Sequence, residues 1–490
     1  MSTEVYGEIM GRPVEEYAAP DDAGGGGGAP PSGDGPGDGA REAPKPQRWG
    51  YSVKKLNEEW ALVLVGSKAV MVRERPDAPV EERVRIVQLE AFRALYANKF
   101  TQVLSDGKVQ TVTWAKRWMC DKDRRQYDGI EFHPSPDDDG GTPGYLNLWR
   151  GFSVKPDAAA GGYTVFRDHM LNNVCGGDED LFTWVWGWFA HLVQRPWERI
   201  GTSIVFRGLM GTGKTIVGQV IGSLIEQHYF AVDDPRYITG QFNAHMASCL
   251  LLQAEEAVWA GDKAAEGRLK GLVTSATQMI ESKGVDPFRI KNYVRLIMTS
   301  NEDWVVPAGK DERRFCVLDV SAGVKENHGY FEEMFEELDN GGREALLADL
   351  LAFDLSTVNL RSIPRTASLL EQKIRSLDHV EAFLFERLYE GNLVKGAIGW
   401  PVDGLVRKSR LFDYYLEVSD RVGIKRRSEQ TVFGMKMQRV LPCVGTVRRY
   451  DEEVGGQAWF YRFPALEEAR VAFEAGLGQA VDWPSDSEAA

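Results

Sequence analysis

Residues 208–215 read Gly208-Leu-Met-Gly-Thr-Gly-Lys-Thr215. The stretch fits G-x-x-x-x-G-K-[ST] at each fixed position. Its flanks fit too. Residues 200–206 read as a buried apolar strand, and residues 216–228, IVGQVIGSLIEQH, carry helical spacing. A strand, a glycine loop and a helix in that order make a cradle for phosphate. Gly208, Gly211 and Gly213 let the backbone curl so that its N–H groups, Thr212 included, face the anion. Lys214 is expected to reach the β- and γ-phosphates, and the Thr215 hydroxyl to ligate Mg²⁺. The helix N-terminus adds a favourable field for negative charge. ATP with Mg²⁺ is therefore the expected cofactor.

Working outward, residues 246–254, MASCLLLQA, read as a second buried strand that ends in Glu255 and Glu256. Carboxylates at a strand end beside a phosphate loop suit metal holding and water activation. Glu255 is assigned to the Mg²⁺ side and Glu256 to the general base. Residues 295–300, RLIMTS, make a third strand followed by Asn301, whose amide can orient the attacking water or read the γ-phosphate. Arg313 and Arg314 precede another apolar strand and suit an arginine finger reaching a neighbouring subunit. Gly208 to Asn301 spans 93 positions, and all three strand-end motifs fall within it.

The rest of the chain sets bounds. Its 490 residues suggest about three domains. With 43% hydrophobic and 27% charged residues it reads as an ordinary globular protein. A net charge of −14 argues against a protein that coats nucleic acid by bulk attraction, though not against basic residues lining one channel. The five cysteines are far apart, which reads as reduced cytoplasmic thiols without a zinc site or disulfide framework. No signal peptide is visible. The most apolar stretch, 181–193 (LFTWVWGWFAHLV), is shorter than the ~20 residues a membrane helix needs and reads as a buried aromatic helix. Residues 20–40, rich in Gly and Pro, read as a disordered linker. Residues 60–73 read as two strands around a Gly66-Ser67 turn, and 127–132 (YDGIEF) and 145–152 (YLNLWRGF) as further strands. Asp137, Asp138 and Asp139 read as a solvated loop, so no polymerase-type metal site is expected there.

The order GLMGTGKT, LLLQAEEAVWAGDK, ESKGVD, LIMTSNEDW, DERRF resembles the superfamily 3 helicases, a branch of the AAA+ ATPases. It is most similar to the helicase part of phage and plasmid primase-helicases, related to the poxvirus primase-helicase. Residues 254–274 and 298–315 carry the resemblance most specifically, and it covers roughly residues 49–463. Lys214, Thr215, Glu256 and Asn301 match that family's active site, and Arg313 and Arg314 its finger region. The resemblance implies a homo-oligomeric, hexameric ring around single-stranded or forked DNA. It also implies a hairpin pointing a basic residue into the channel. Here that segment is 281–293, ESKGVDPFRIKNY, with Lys283 first and Arg289 and Lys291 next. Two departures stand out: Glu255 replaces the usual Asp, and no polymerase or primase domain is recognisable. The expectation is a free-standing helicase module served by a separate primase or polymerase, with no membrane partner.

In the C-terminal part, 343–351 and 367–388 read as amphipathic helices. Residues 407–423 and 428–440 read as two more, the second N-capped by Ser428. Residues 444–449 and 459–463 read as a β-hairpin, giving a winged-helix pattern. Residues 407–449 hold 11 basic against four acidic residues, a nucleic-acid footprint with Arg426, Lys436 and Arg439 as candidate contacts. The expected fold is α/β: an AAA+ P-loop ATPase core with a mixed α+β N-terminal domain, a helical connector and a C-terminal winged helix. The expected boundaries are 1–47 for tail and linker, 48–180 for the N-terminal domain, and 181–323 for the ATPase core. The connector follows at 324–393, the winged helix at 394–465 and a C-terminal tail at 466–490. The expected activity is ATP-driven DNA unwinding. The rival readings are an AAA+ remodelling or loading ATPase without unwinding, and an ATP-controlled DNA-binding switch.

Overall fold

Strands buried on both faces read as continuous apolar runs, and the middle of the chain is built from such strands. The computed structural model describes residues 50–79, 82–105, 108–137, 140–234, 236–240, 243–256, 263–282, 284–310, 312–394, 396, 399–401, 403–424 and 427–484. Those from Tyr51 onward pack as one compact unit.

The chain opens with β1 (Trp60–Val65), β2 (Lys68–Glu74) and β3 (Val84–Gln88). A hairpin of β4 (Phe100–Ser105) and β5 (Lys108–Thr113) follows, then the short β6 (Gln126–Tyr127), β7 (Gly129–Glu131) and β8 (Tyr145–Asn147). The first sheet runs β3-β2-β1-β6. Side chains alternate across it. Trp60 packs with Phe92, Tyr96 and Trp118 on one side, while Ala61, Val63 and Val65 join the main core on the other. The first sheet and the sheet that carries the glycine loop thus share one continuous hydrophobic core.

That second sheet holds β9 (Ser203–Arg207), β10 (Tyr229–Val232) and β11 (Leu251–Glu255). After β11 come an antiparallel hairpin of β12 (Thr277–Ile280) and β13 (Phe288–Lys291), then β14 (Arg295–Ser300) and β15 (Phe315–Asp319). The five-stranded order is β10-β11-β14-β9-β15, with every pairing parallel. Both neighbours of β9 are distant in sequence, so its carboxyl end is a topological switch point, where ligands of such sheets bind. The expected strand at 246–254 begins later than the apolar run does. A 3₁₀ turn, Ala244–Ser248, takes its first half. The helix Glu179–Gln194 is buried along almost its whole length, and two of its three indoles donate to backbone: Trp188 to the Thr202 carbonyl and Trp184 to that of Ser362. No described helix is long and apolar enough to cross a membrane.

A separate core holds the C-terminal part. It comprises helices His379–Glu390, Lys408–Arg421, Gln430–Val440 and Leu466–Leu477, with β16 (Leu405–Arg407), β17 (Gly445–Asp451) and β18 (Gly456–Arg462) in the order β16-β18-β17.

Three expectations are corrected here. The single helix at 367–388 is two, Ala367–Arg375 and His379–Glu390. Asp378 starts the second with a capping box, accepting from the N–H groups of Val380 at 2.9 Å and Glu381 at 3.1 Å. Ser428 does not cap the next helix, which starts at Gln430 after Glu429. Its hydroxyl instead lies 3.0 Å from Nε2 of His379. Residues 466–477, expected as tail, form a helix because Ala469, Phe473 and Leu477 fall on one buried face.

Candidate active site

Parallel register builds the site. Val205 pairs with Met298, which pairs with Ala254, and Arg207 pairs with Ser300. The next residue along each strand is therefore Gly208, Asn301 or, one step earlier, Glu256, all at the same carboxyl edge. The loop after β9 needs its glycines: Gly208, Gly211 and Gly213 have φ of 148°, 78° and 86°. Space also forbids a side chain at Gly213, where a Cβ would lie 2.7 Å from Cε1 of His169.

Lys214 opens the helix Lys214–Ser223. Its ammonium donates to the Gly208 carbonyl at 2.8 Å and to Oδ1 of Asn301 at 2.9 Å. Asn301 in turn donates from Nδ2 to Oε1 of Glu256 at 2.7 Å. A continuous Lys214–Asn301–Glu256 chain thus crosses the mouth of the loop. Burial pushes the Lys214 pKa down, and the Glu256 carboxylate partly opposes that. Glu256 is exposed and has φ of 50°, left-handed without being glycine. Such backbone strain clusters at functional sites. Glu255 is half-buried. Burial pushes its carboxyl up against a hydrogen bond from Gln253, and the charges of Asp233 and Glu256 add to the rise. A bound cation would bring it back down.

Two residues here escaped the sequence reading. Gln253 is fully buried and donates from Nε2 to Oε1 of Glu255 at 2.8 Å and to the Thr215 carbonyl at 3.2 Å. Its own Oε1 accepts from the Tyr229 hydroxyl at 2.8 Å. It ties the loop helix to the carboxylate strand, and Gly218 is the bare position that lets the helix pass over it. His169 lies in a π-helical turn, His169–Val174, fully buried against Gly213, with its ring 6.0 Å from those of Tyr330 and Phe331. Neither ring nitrogen makes a hydrogen bond of good geometry among the described residues, the Gly213 backbone being a polar neighbour of the ring. Burial pushes its pKa down to about 4, the Gly213 backbone and Asp168 partly opposing, so the ring is neutral at pH 7.

The arginine pair sits elsewhere. Ser203 starts β9 and pairs with Phe315, so Arg313 and Arg314 lie at the amino edge of the sheet. Five residues of strand, roughly 15 Å, separate them from their own phosphate loop. Arg314 is engaged: its backbone N–H donates at 2.7 Å to Glu312, whose carboxylate also lies 3.6 Å from the guanidinium. Arg313 is exposed, and its guanidinium has no carboxylate partner among the described residues.

The hairpin of β12 and β13 also lies at the amino edge, leading into β14. Arg289 and Lys291 are exposed on one face of β13, with Ile290 buried between them. Lys283 lies outside the described residues. The loop joining the strands is moored on the first sheet: Lys68 pairs with Asp286 at 2.9 Å, and Gln88 donates to the Gly284 carbonyl. Of the C-terminal candidates, Arg426 lies outside the described residues. The Lys436 ammonium pairs with Asp378 at 2.9 Å, and the exposed Arg439 lies 3.8 Å from Glu381.

The donor set suits a phosphate-bound Mg²⁺. Among the described residues no cluster of three or more His, Cys, Asp or Glu side chains could hold a metal by itself. Mg²⁺ is typically held by one or two protein oxygens with the substrate phosphates, which Thr215 and Glu255 can supply.

Residues 206–314 match a family described only as of unknown function, DUF5906. The chain is 27% identical over 236 residues, 47% of its length, to a protein named DNA primase-polymerase from Nitratiruptor phage NrS-1. It spans only 32% of that relative. Two solved structures of the NrS-1 C-terminal region, both apo, are similar in fold. One has a TM-score of 0.57 at 19% identity, covering 83% of this chain and 96% of that one. The other has a TM-score of 0.59 at 18% identity, covering 84% and 98%. The fold is therefore a mixed α/β one with a five-stranded parallel sheet, shared with the C-terminal region of a phage primase-polymerase.

Proposed function

We propose that the chain is an ATP-driven DNA helicase of superfamily 3 type, acting in phage or mobile-element replication as part of a homo-oligomeric ring. The observation that carries this is the Lys214–Asn301–Glu256 chain at the carboxyl edge, with an exposed Arg313 at the opposite edge. An arginine that distant from its own loop can reach a bound phosphate only in a neighbour's site, as an arginine finger supplied in trans does. The all-parallel sheet β10-β11-β14-β9-β15, with the glycine loop leaving an interior strand, supports a P-loop ATPase core, and the β16–β18 unit with its helices suits a winged helix. The name of the phage relative supports a place in replication.

Bound Mg-ATP supplies the phosphoanhydride to be cleaved. Lys214 exchanges the loop carbonyls for phosphate oxygens, the contact its residue type makes in such loops. Thr215 and Glu255 would hold the cation, with Glu255 aligned by Gln253. Glu256 takes the proton of the attacking water, and Asn301 orients that water from its position between Lys214 and Glu256. His169 packs against Gly213, with the Tyr330 ring beside it, and closes the loop on that side. Arg289 and Lys291, exposed on one face of β13, face the DNA track. The direct test is ATP turnover by Lys214→Ala. A folded variant that still turns over ATP at the wild-type rate would remove the nucleotide site.

A further inference from the structure

The hairpin of β17 and β18 carries more than a fold. Cross-strand partners share a face, and the register pairs Thr446 with Tyr461, Arg448 with Trp459, and Tyr450 with Gln457. Near the core this face is covered. Tyr461 is buried, and a Cβ on Gly434 of the neighbouring helix would lie 2.9 Å from its hydroxyl. Two residues further out the covering ends: Trp459 is 53% and Tyr450 64% exposed. Arg448 is exposed between them, with no carboxylate partner among the described residues. Lys408 lies behind, its ammonium 5.4 Å from the Trp459 ring centre and 4.8 Å from that of Tyr461. Two neighbouring carboxylates are engaged elsewhere: Asp451 is buried on the opposite face, paired at 3.2 Å with Arg407, and Glu453 lies 3.4 Å from the same guanidinium, while Glu452 is exposed in the turn.

We propose that this outer face, Arg448, Tyr450 and Trp459 with Lys408 behind them, binds single-stranded nucleic acid. A base stacks on Trp459, and the adjoining phosphate pairs with Arg448. Two exposed rings interleaved with two cations match alternating bases and phosphates. An apolar protein partner would have to desolvate the Arg448 and Lys408 charges without return. A duplex keeps its base faces stacked inside, out of reach of Trp459. The sequence reading placed the contacts at Arg426, Lys436 and Arg439. Lys436 is paired with Asp378, and the hairpin face adds a second cluster to those candidates.

The inference rests on reading the chain as acting on DNA, but on none of its nucleotide chemistry. The test therefore uses the full chain carrying Lys214→Ala, without nucleotide, and a fluorescein-labelled mixed-sequence single strand followed by anisotropy. Trp459→Ala should weaken binding about ten-fold, while Trp459→Phe retains most of it. Arg448→Ala should flatten the salt dependence by about 0.7 in log–log slope. Wild-type affinity for Trp459→Ala, at an unchanged melting temperature, overturns the proposal. So does equal competition by duplex. A Trp459→Ala chain that keeps its DNA affinity but loses a replication-protein partner overturns it in favour of a protein dock. Trp459-dependent binding supports the proposal even if the wild-type chain proves to have no ATP turnover.

Discussion

Glu256 and Glu255 are adjacent in sequence but live in different environments. Glu256 is exposed, strained in backbone and bonded to Asn301, while Glu255 is half-buried and held by Gln253. Their roles should separate accordingly. Glu256→Gln is expected to bind ATP normally and lose about 10²–10⁴-fold in turnover, as loss of a general base costs. Gln253→Leu removes the tie to Glu255, so Mg²⁺ dependence should shift to higher concentration with ATP binding retained. A phosphate-release assay across a Mg²⁺ series reads both. If Glu255→Gln proves far worse for turnover and Glu256→Gln is near wild type, the roles are reversed. The loop, Glu256 and Asn301 were legible because their chemistry demands fixed residue types at strand ends. Gln253 and His169 were not. One is a polar residue inside an apolar run, and the other reaches Gly213 only through long-range packing.

Among the elements, the break between Ala367–Arg375 and His379–Glu390 divides the two cores. Asp378 holds it by capping the second helix and pairing with Lys436. Asp378→Ala should cost about 1 kcal/mol, a typical cap, seen as a lower urea midpoint. No change in that midpoint would mean that the capping box contributes nothing. The D-x-x-E signal of the box was present in the sequence, but the helical spacing of 367–388 ran across it unbroken. The 466–477 helix was hidden differently: its three core residues sit four apart in a stretch otherwise rich in Ala and Glu. The hairpin of β12 and β13 was legible as a turn with cations. Its mooring on the first sheet was not, because Lys68 and Gln88 are some two hundred positions away from it.

At the scale of the whole molecule, acid should loosen the fold. His169, His191 and His228 are buried, and burial pushes their pKa values down from 6.5 to about 4, 3 and 3. His228 shows why: its Nε2 accepts from the Arg150 N–H at 2.9 Å, and a proton there would break that bond. The unfolded chain binds these protons first, so their contribution to stability is full above about pH 6.5 and falls as pH drops towards 4. Melting temperature should therefore fall across that window, and His228→Gln should flatten the fall. A melting temperature constant from pH 7 to 5 would contradict the burial argument.

Assembly is tested by mixing. Inactive Arg313→Ala subunits combined with inactive Lys214→Ala subunits should regain part of the ATP turnover, because some mixed interfaces pair an intact loop with an intact arginine. Absence of rescue in verified mixed rings argues that Arg313 acts within its own chain. ATP turnover driving strand separation is the activity proposed for the chain. The most direct measurement is strand displacement on a forked DNA alongside the ATPase rate, with and without single strand. The wild-type chain should separate strands and turn over ATP faster when single-stranded DNA is present, and Lys214→Ala should do neither. Turnover indifferent to DNA with no strand separation, or displacement that persists in Lys214→Ala, would contradict it.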